Sequence, residues 1–181
     1  MKKILLGLYL FSGLLFANNP EIQGFRDVAF GLSAGAGQLK NSKEIKTYFF
    51  ENKKTKKYDM LRILISDSEI KQIGEVSIDR VIYFFLNDKL FNVRIEVKDL
   101  GSYDKNVQKI KALAKEVIKE YPIKQVNKEP EYIYNDGKNN IRLVVRNENN
   151  YKGVFFNIWE GKYWPNVGMD EISTLLQQGK L

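Results

Sequence analysis

A chain of 181 residues with 29 Lys and Arg against 22 Asp and Glu, but no histidine and no cysteine, excludes much before any motif is read. His/Cys zinc sites, Ser-His-Asp and Cys-His nucleophiles and redox dithiols each need a missing residue, which leaves carboxylate, Lys, Tyr or Ser-Lys chemistry. The net charge of +7 makes an anionic partner somewhat favoured and is also an ordinary route to solubility.

Residues 1–17, MKKILLGLYLFSGLLFA, read as a secretory signal peptide. Lys2 and Lys3 precede an uncharged run from Ile4 to Phe16, and Ala17 stands before the polar NNPE. That run is shorter than the roughly 17–25 residues a transmembrane helix needs, so cleavage after Ala17 and a mature chain with no transmembrane helix are expected. With no cysteine to carry a lipid, the protein is not a lipoprotein. The expected location is periplasmic or extracellular, in a bacterial envelope. From residue 18 onward the chain is long enough to bury a core without disulfides.

Residues 18–43 read as an N-terminal tether and a Gly/Ala-rich loop, with FRDVAFG (25–31) as a short strand or edge segment. The following FGLSAGAGQLK is not a phosphate loop. Gly31 and Gly35 are wrongly spaced for a Walker motif, Lys40 comes too late, and the dinucleotide fingerprint lacks its third glycine. A tight backbone crossing where side chains would not fit explains the run, and no nucleotide is expected.

Residues 44–181 read as one α+β domain. EIKTYFFE (44–51) and YDMLRILIS (58–66) are strands rich in β-branched and aromatic residues, joined by the lysine-rich NKKTKK. DRVIYFFLNDKLFNVRIEVKD is a hairpin turning at Asn87 and Asp88. Residues 81–86 are apolar on both faces, which makes that strand central, whereas Val93, Ile95 and Val97 alternate with charged residues. The period then changes. Val107, Ile110, Leu113, Ala114, Val117, Ile118 and Tyr121 make a helical stripe, with Ser102 as N-cap and Pro122 as the stop.

After Pro122 come a strand, the NDGKN turn, a second strand, the NENNYKG turn and a third strand. DEISTLLQQ, closed by Gly179, reads as a short C-terminal helix. Hairpin-length connections without βαβ alternation predict a mostly antiparallel sheet packed on one long amphipathic helix. The halves 44–120 and 123–178 each run as strands then helix. YFFLNDKLFNVRIEV and YIYNDGKNNIRLVVR also align loosely, which shared hairpin grammar explains as well as a duplication does.

Three groups of residues are candidates for binding. Trp159, Glu160, Tyr163 and Trp164 in WEGKYW are placed to stack on sugar rings or grip a peptide, or else to cap the core. Lys53, Lys54, Lys56 and Lys57 beside Tyr58 suit an anionic surface such as lipid head groups, cell-wall polymer or nucleic acid, or simply keep a hairpin tip soluble. Arg94, Arg142 and Arg146 form a basic platform if they share the face opposite the helix, with pairing to Glu96 and Glu148 as the simpler account. The carboxylate pairs Glu129/Glu131, Asp67/Glu69 and Asp170/Glu171 are sequence neighbours, which seldom face each other across a cleft.

These readings converge on an exported, non-enzymatic binding protein that recognises another protein or an anionic envelope polymer. No catalytic residue, metal or cofactor is expected. The alternatives are a carboxylate-dependent hydrolase acting on polysaccharide through Glu160, and a carrier holding a small apolar ligand between the helix and the sheet.

Overall fold

The computed structural model describes residues 20–52, 55–66, 72–97, 100–126, 130–148 and 151–161. The expected signal peptide and C-terminal helix lie outside the described residues, so only one α-helix of the expected pair is seen. Eight strands follow one another across a large antiparallel sheet in the order β3-β4-β6-β7-β11-β10-β9-β8, and β5 (Gln72–Ile73) pairs with β6. In chain order they are β3 (Ser42–Glu51), β4 (Tyr58–Ser66), β6 (Val76–Leu86), β7 (Lys89–Val97), β8 (Lys124–Gln125), β9 (Glu131–Asn135), β10 (Asn139–Glu148) and β11 (Tyr151–Glu160). Two antiparallel meanders thus face each other, and their last strands, β7 and β11, pair at the centre with Val93 opposite Ile158 and Ile95 opposite Phe156. The loosely alike stretches 83–97 and 132–146 build β6–β7 in the middle of the sheet and β9–β10 toward its edge.

The β6–β7 turn follows from two residues that tolerate positive φ. Asn87 and Asp88 stand at +49° and +63°, the twist a two-residue hairpin requires. Asn87 also ties the turn to the next strand, since its Oδ1 accepts the Met60 N–H at 2.9 Å. The wholly apolar run 81–86 is buried on both faces, as its composition demands. Val81, Tyr83 and Phe85 enter the main core, while Ile82, Phe84 and Leu86 join Leu61, Ile63 and Phe91 in a second cluster on the other face.

The one α-helix among the described residues, α1 (Tyr103–Val117), spans 15 residues, about 22 Å at the usual rise. The Ser102 hydroxyl accepts the Lys105 N–H and caps it. Ile110, Leu113, Ala114 and Val117 pack with Leu143, Val154, Phe156 and Ile158. The helix is shorter than its apolar stripe. Ile118 is 55% exposed and closes the helix, and the next two N–H groups bond three residues back, to Glu116 and Val117. Pro122 disfavours helical geometry at Tyr121, which packs instead on the Tyr134 ring at 5.9 Å.

The stretch expected to be a tether is part of the fold from residue 20. Ile22, Phe25, Val28, Ala34 and Leu39 all belong to the main core. β1 (Gly24–Phe25) and β2 (Val28–Ala29) form a minimal hairpin, followed by a 3-10 turn at Gly37–Leu39. The Gly/Ala run crosses the β6–β7 turn as a strap: the Gly31 N–H donates to Leu90 O and the Leu90 N–H to Leu32 O, both at 2.9 Å. Ser33 donates to Asp88 at 2.7 Å. The Ser33 hydroxyl, working against burial and joined by the Ala34 N–H and Arg62, holds Asp88 below the usual carboxyl value.

Candidate functional site

One end of the sheet gathers the N-terminal segment, the β9–β10 turn and the last residues of β11. The turn sequence NDGKNN explains how. Asp136 Oδ1 accepts the N–H groups of Lys138 and Asn139, both at 2.7 Å, while Gly137 takes φ +97°. This Asx geometry leaves Oδ2 free to accept the Ile22 N–H at 2.6 Å, across 114 positions of sequence. Three further bonds pin the same segment: Asn139 Nδ2 to Ile22 O at 2.6 Å, the Tyr134 hydroxyl to Pro20 O at 2.8 Å, and Lys138 Nζ to Glu21 Oε1 at 3.3 Å. Ile22 is 0% exposed.

Burial opposes the charge on Asp136, yet the N–H groups of Ile22, Asn139 and Lys138, with the Lys138 ammonium, outweigh it and hold the carboxyl below its ordinary value. Burial, reinforced by the Asp136 charge, pushes the Tyr134 hydroxyl up, so it stays a neutral donor.

Between these elements lies an open groove of about 1010 Å³. It is lined by Glu21 to Gln23, Ala29 and Phe30 from the N-terminal segment, by Asn135 and Gly137 to Asn140 from the β9–β10 turn, and by Glu160 and Gly161 at the end of β11. Gly161 is required there, because its N–H donates to Lys138 O at 2.8 Å and a Cβ would stand 2.5 Å from that same oxygen. Asn135 and Asn140 bond each other side chain to side chain at 2.5 Å. Asn139 is 7% exposed, and its Oδ1 has no hydrogen-bond partner among the described residues. Amide side chains present donors and acceptors together, the pattern that hydroxyl and amide groups of a ligand complement.

Of the two described members of the aromatic candidate cluster, Glu160 lines this groove. Successive residues of a strand point to opposite faces, so Trp159 and Glu160 do not form one platform. Trp159 is half-buried, opposite Asn92 on β7 and Asn140 on β10. Tyr163 and Trp164 lie outside the described residues. The turn residues Asn135, Lys138, Asn139 and Asn140 read in the sequence only as a hairpin connection. The signal available was a run of amides around Gly137 with more polar groups than a tight turn needs.

Arg94 and Arg142 stand in line with Asn157 across β7, β11 and β10. Arg94 donates to Asn157 Oδ1 at 3.0 Å and lies over the Phe84 ring, and Arg142 donates to Glu131 at 2.5 Å. Glu96 pairs with Arg80. Arg146 stands on β10 opposite Gly153. Among the lysines, Lys56 and Lys57 are exposed in the β3–β4 turn, and Lys53 and Lys54 lie outside the described residues.

Comparison with protein-family models, characterised proteins and solved structures finds no match. Function has to be argued from the groove itself. Among the described residues no group of His, Cys, Asp and Glu is placed to hold a metal ion, and no helix is long and apolar enough to cross a membrane.

Proposed function

We propose that this chain is an exported envelope protein, periplasmic or secreted, that works by binding. Its ligand is a segment of envelope polymer seated in the groove between the N-terminal strap, the β9–β10 turn and the end of β11. The observation that carries this reading is the polar lining: Asn135, Asn140, Lys138, Glu21, Gln23 and Glu160. Such a surface offers many hydrogen-bond donors and acceptors, which suits recognition of hydroxyl- and amide-rich chains. The strap is anchored by a carboxylate with a lowered pKa, so the groove walls are fixed before a ligand arrives, and little ordering entropy opposes binding.

A second reading has one specific observation in its favour: Glu21 and Glu160 line the same groove, as a carboxylate hydrolase would require. Glu21 is engaged by Lys138. The carrier reading draws no comparable support, because side chains buried to 6% exposure or less fill the helix–sheet interface.

The test is calorimetric titration of isolated envelope polymers into the chain and into an Ala29→Trp variant. Ala29 is exposed on the groove wall, so the indole fills the groove without displacing core. Binding by the parent chain and loss of at least tenfold in affinity in the variant are expected. Equal affinity in both defeats the groove assignment. Release of soluble fragments that stops in Glu160→Gln replaces binding by catalysis.

A further inference from the structure

We propose that the β3–β4 hairpin tip docks on a bilayer surface carrying anionic head groups. β3 is an edge strand, and its last residues carry an apolar side chain where the sheet meets water. Phe49 is 70% exposed and Tyr58 on the neighbouring strand is 76% exposed, the highest values among the large apolar side chains described. Phe49 stands opposite Met60 and Tyr58 opposite Glu51, so the two rings share a face as diagonal neighbours, about 7–8 Å apart.

Single exposed apolar residues are ordinary and require no explanation. Here the pair is coupled to a turn that projects lysines beside it. The Asn52 N–H donates to Lys57 O and the Lys56 N–H to Asn52 O, both at 2.8 Å. The Thr55 N–H donates to the Asn52 side chain at 3.1 Å, and Asn52 Nδ2 donates to Asp59 at 2.7 Å. Lys56 is held at φ +57°, and both Lys56 and Lys57 point to solvent. Nearby negative charge is limited: Asp59 is buried and taken up by Asn52 and Asn87, and Glu51 meets Lys56 only at 4.0 Å.

Lysine ammonium groups beside aromatic rings match a head-group layer, where phosphates meet the cation and rings sit at the boundary of the acyl chains. A soluble polyanion would use the lysines alone and leave Phe49 in water. The placement adds a second argument. Met60 bonds Asn87, Leu61 pairs with Leu86, and Asn139 pairs with Glu160, so the β3–β4, β6–β7 and β9–β10 turns emerge at one end of the sheet. β4 and β10 are separated by β6, β7 and β11, about 19 Å at the usual strand spacing. Docking through the tip therefore holds the groove mouth close to the membrane surface. Phe49, Tyr58, Lys56 and Lys57 do not line the groove, so vesicle binding and polymer binding are tested by separate variants.

The experiment is co-sedimentation of the chain starting at Asn18 with vesicles of phosphatidylglycerol and phosphatidylcholine, against vesicles of phosphatidylcholine alone. Two double variants are compared: Phe49→Thr/Tyr58→Thr, which keeps strand propensity, and Lys56→Glu/Lys57→Glu. All four positions are exposed, and unchanged circular dichroism and melting verify the fold. Binding to the anionic vesicles only, falling with salt and about tenfold weaker in each double variant, is the expected result. Full binding by the Phe49→Thr/Tyr58→Thr chain overturns the proposal, as does equal binding to neutral vesicles or none to anionic ones at low salt. Capture by heparin that ignores the aromatic exchange, without vesicle binding, assigns the tip to soluble polyanions instead.

Discussion

Replacing Asp136 by Asn should detach the N-terminal segment around Ile22 from the β9–β10 turn. The carboxylate accepts three backbone N–H groups, from Ile22 at 2.6 Å and from Lys138 and Asn139 at 2.7 Å each. Asparagine keeps one oxygen, so either the turn or the strap loses its acceptor, and an amide N–H₂ then faces the backbone N–H it displaces. A hydrogen bond to a charged group contributes about 1.5–3 kcal/mol, and weakening of the remaining bonds brings the expected loss to about 2–3 kcal/mol. Because Ile22 is fully buried, that loss appears as local opening before global unfolding. Hydrogen exchange at the Ile22 amide should accelerate about 30- to 150-fold, at the usual 1.36 kcal/mol per decade, and urea unfolding should shift to match.

The pH dependence carries a sign. The folded-state pKa of Asp136 is lowered, so its contribution is complete above the ordinary carboxyl value and is lost as pH falls through the folded value. Asp136→Asn should remove that part of the acid sensitivity, below about pH 4. An Ile22 amide that exchanges at the parental rate in the variant, with a stability change under about 0.5 kcal/mol, would refute the reasoning.

Gly161→Ala brings a Cβ to within 2.5 Å of Lys138 O, and backbone must move; a loss of about 1–3 kcal/mol by denaturant titration is expected, together with weakened polymer binding. Arg80→Ala leaves the buried Glu96 carboxylate, whose Oε1 already has no partner among the described residues, without its cation at 2.5 Å. Since Arg80 is partly exposed, about 1–2 kcal/mol should be lost, and Glu96→Leu added to it should restore most of that in a double-mutant comparison. Ile110→Ala opens a cavity at the helix–sheet contact and should cost about 2–5 kcal/mol, with unchanged vesicle binding as the internal control.

Local pattern carried most of the secondary structure. Tyr58–Ser66 is a strand over the expected residues because β-branched and apolar side chains fill it, and Asn87-Asp88 makes the hairpin turn because those residues accept positive φ. Ser102 caps α1 as its chemistry requires. What local pattern does not contain is pairing. The central contact of β7 with β11 joins residues some sixty positions apart, and nothing in either strand names its partner. Nor does the composition of EIKTYFFE say that β3 is an edge strand, on which Phe49 stands 70% exposed.

The candidate site shows the same division. Glu160 was singled out and lines the groove, but strand alternation sends its neighbour Trp159 elsewhere. Glu21 to Gln23 also line the groove, from a stretch that read as a tether because its anchoring bonds reach to Asp136 and Asn139. Long-range hydrogen bonds of this kind leave no periodicity in either segment.

Hydrogen exchange of the chain with and without envelope polymer is the most direct test of the groove as the ligand site. Protection confined to residues 21–23, 29–30, 135–140 and 160–161 is the predicted result. Protection centred elsewhere, or none at polymer concentrations that saturate binding, would contradict it.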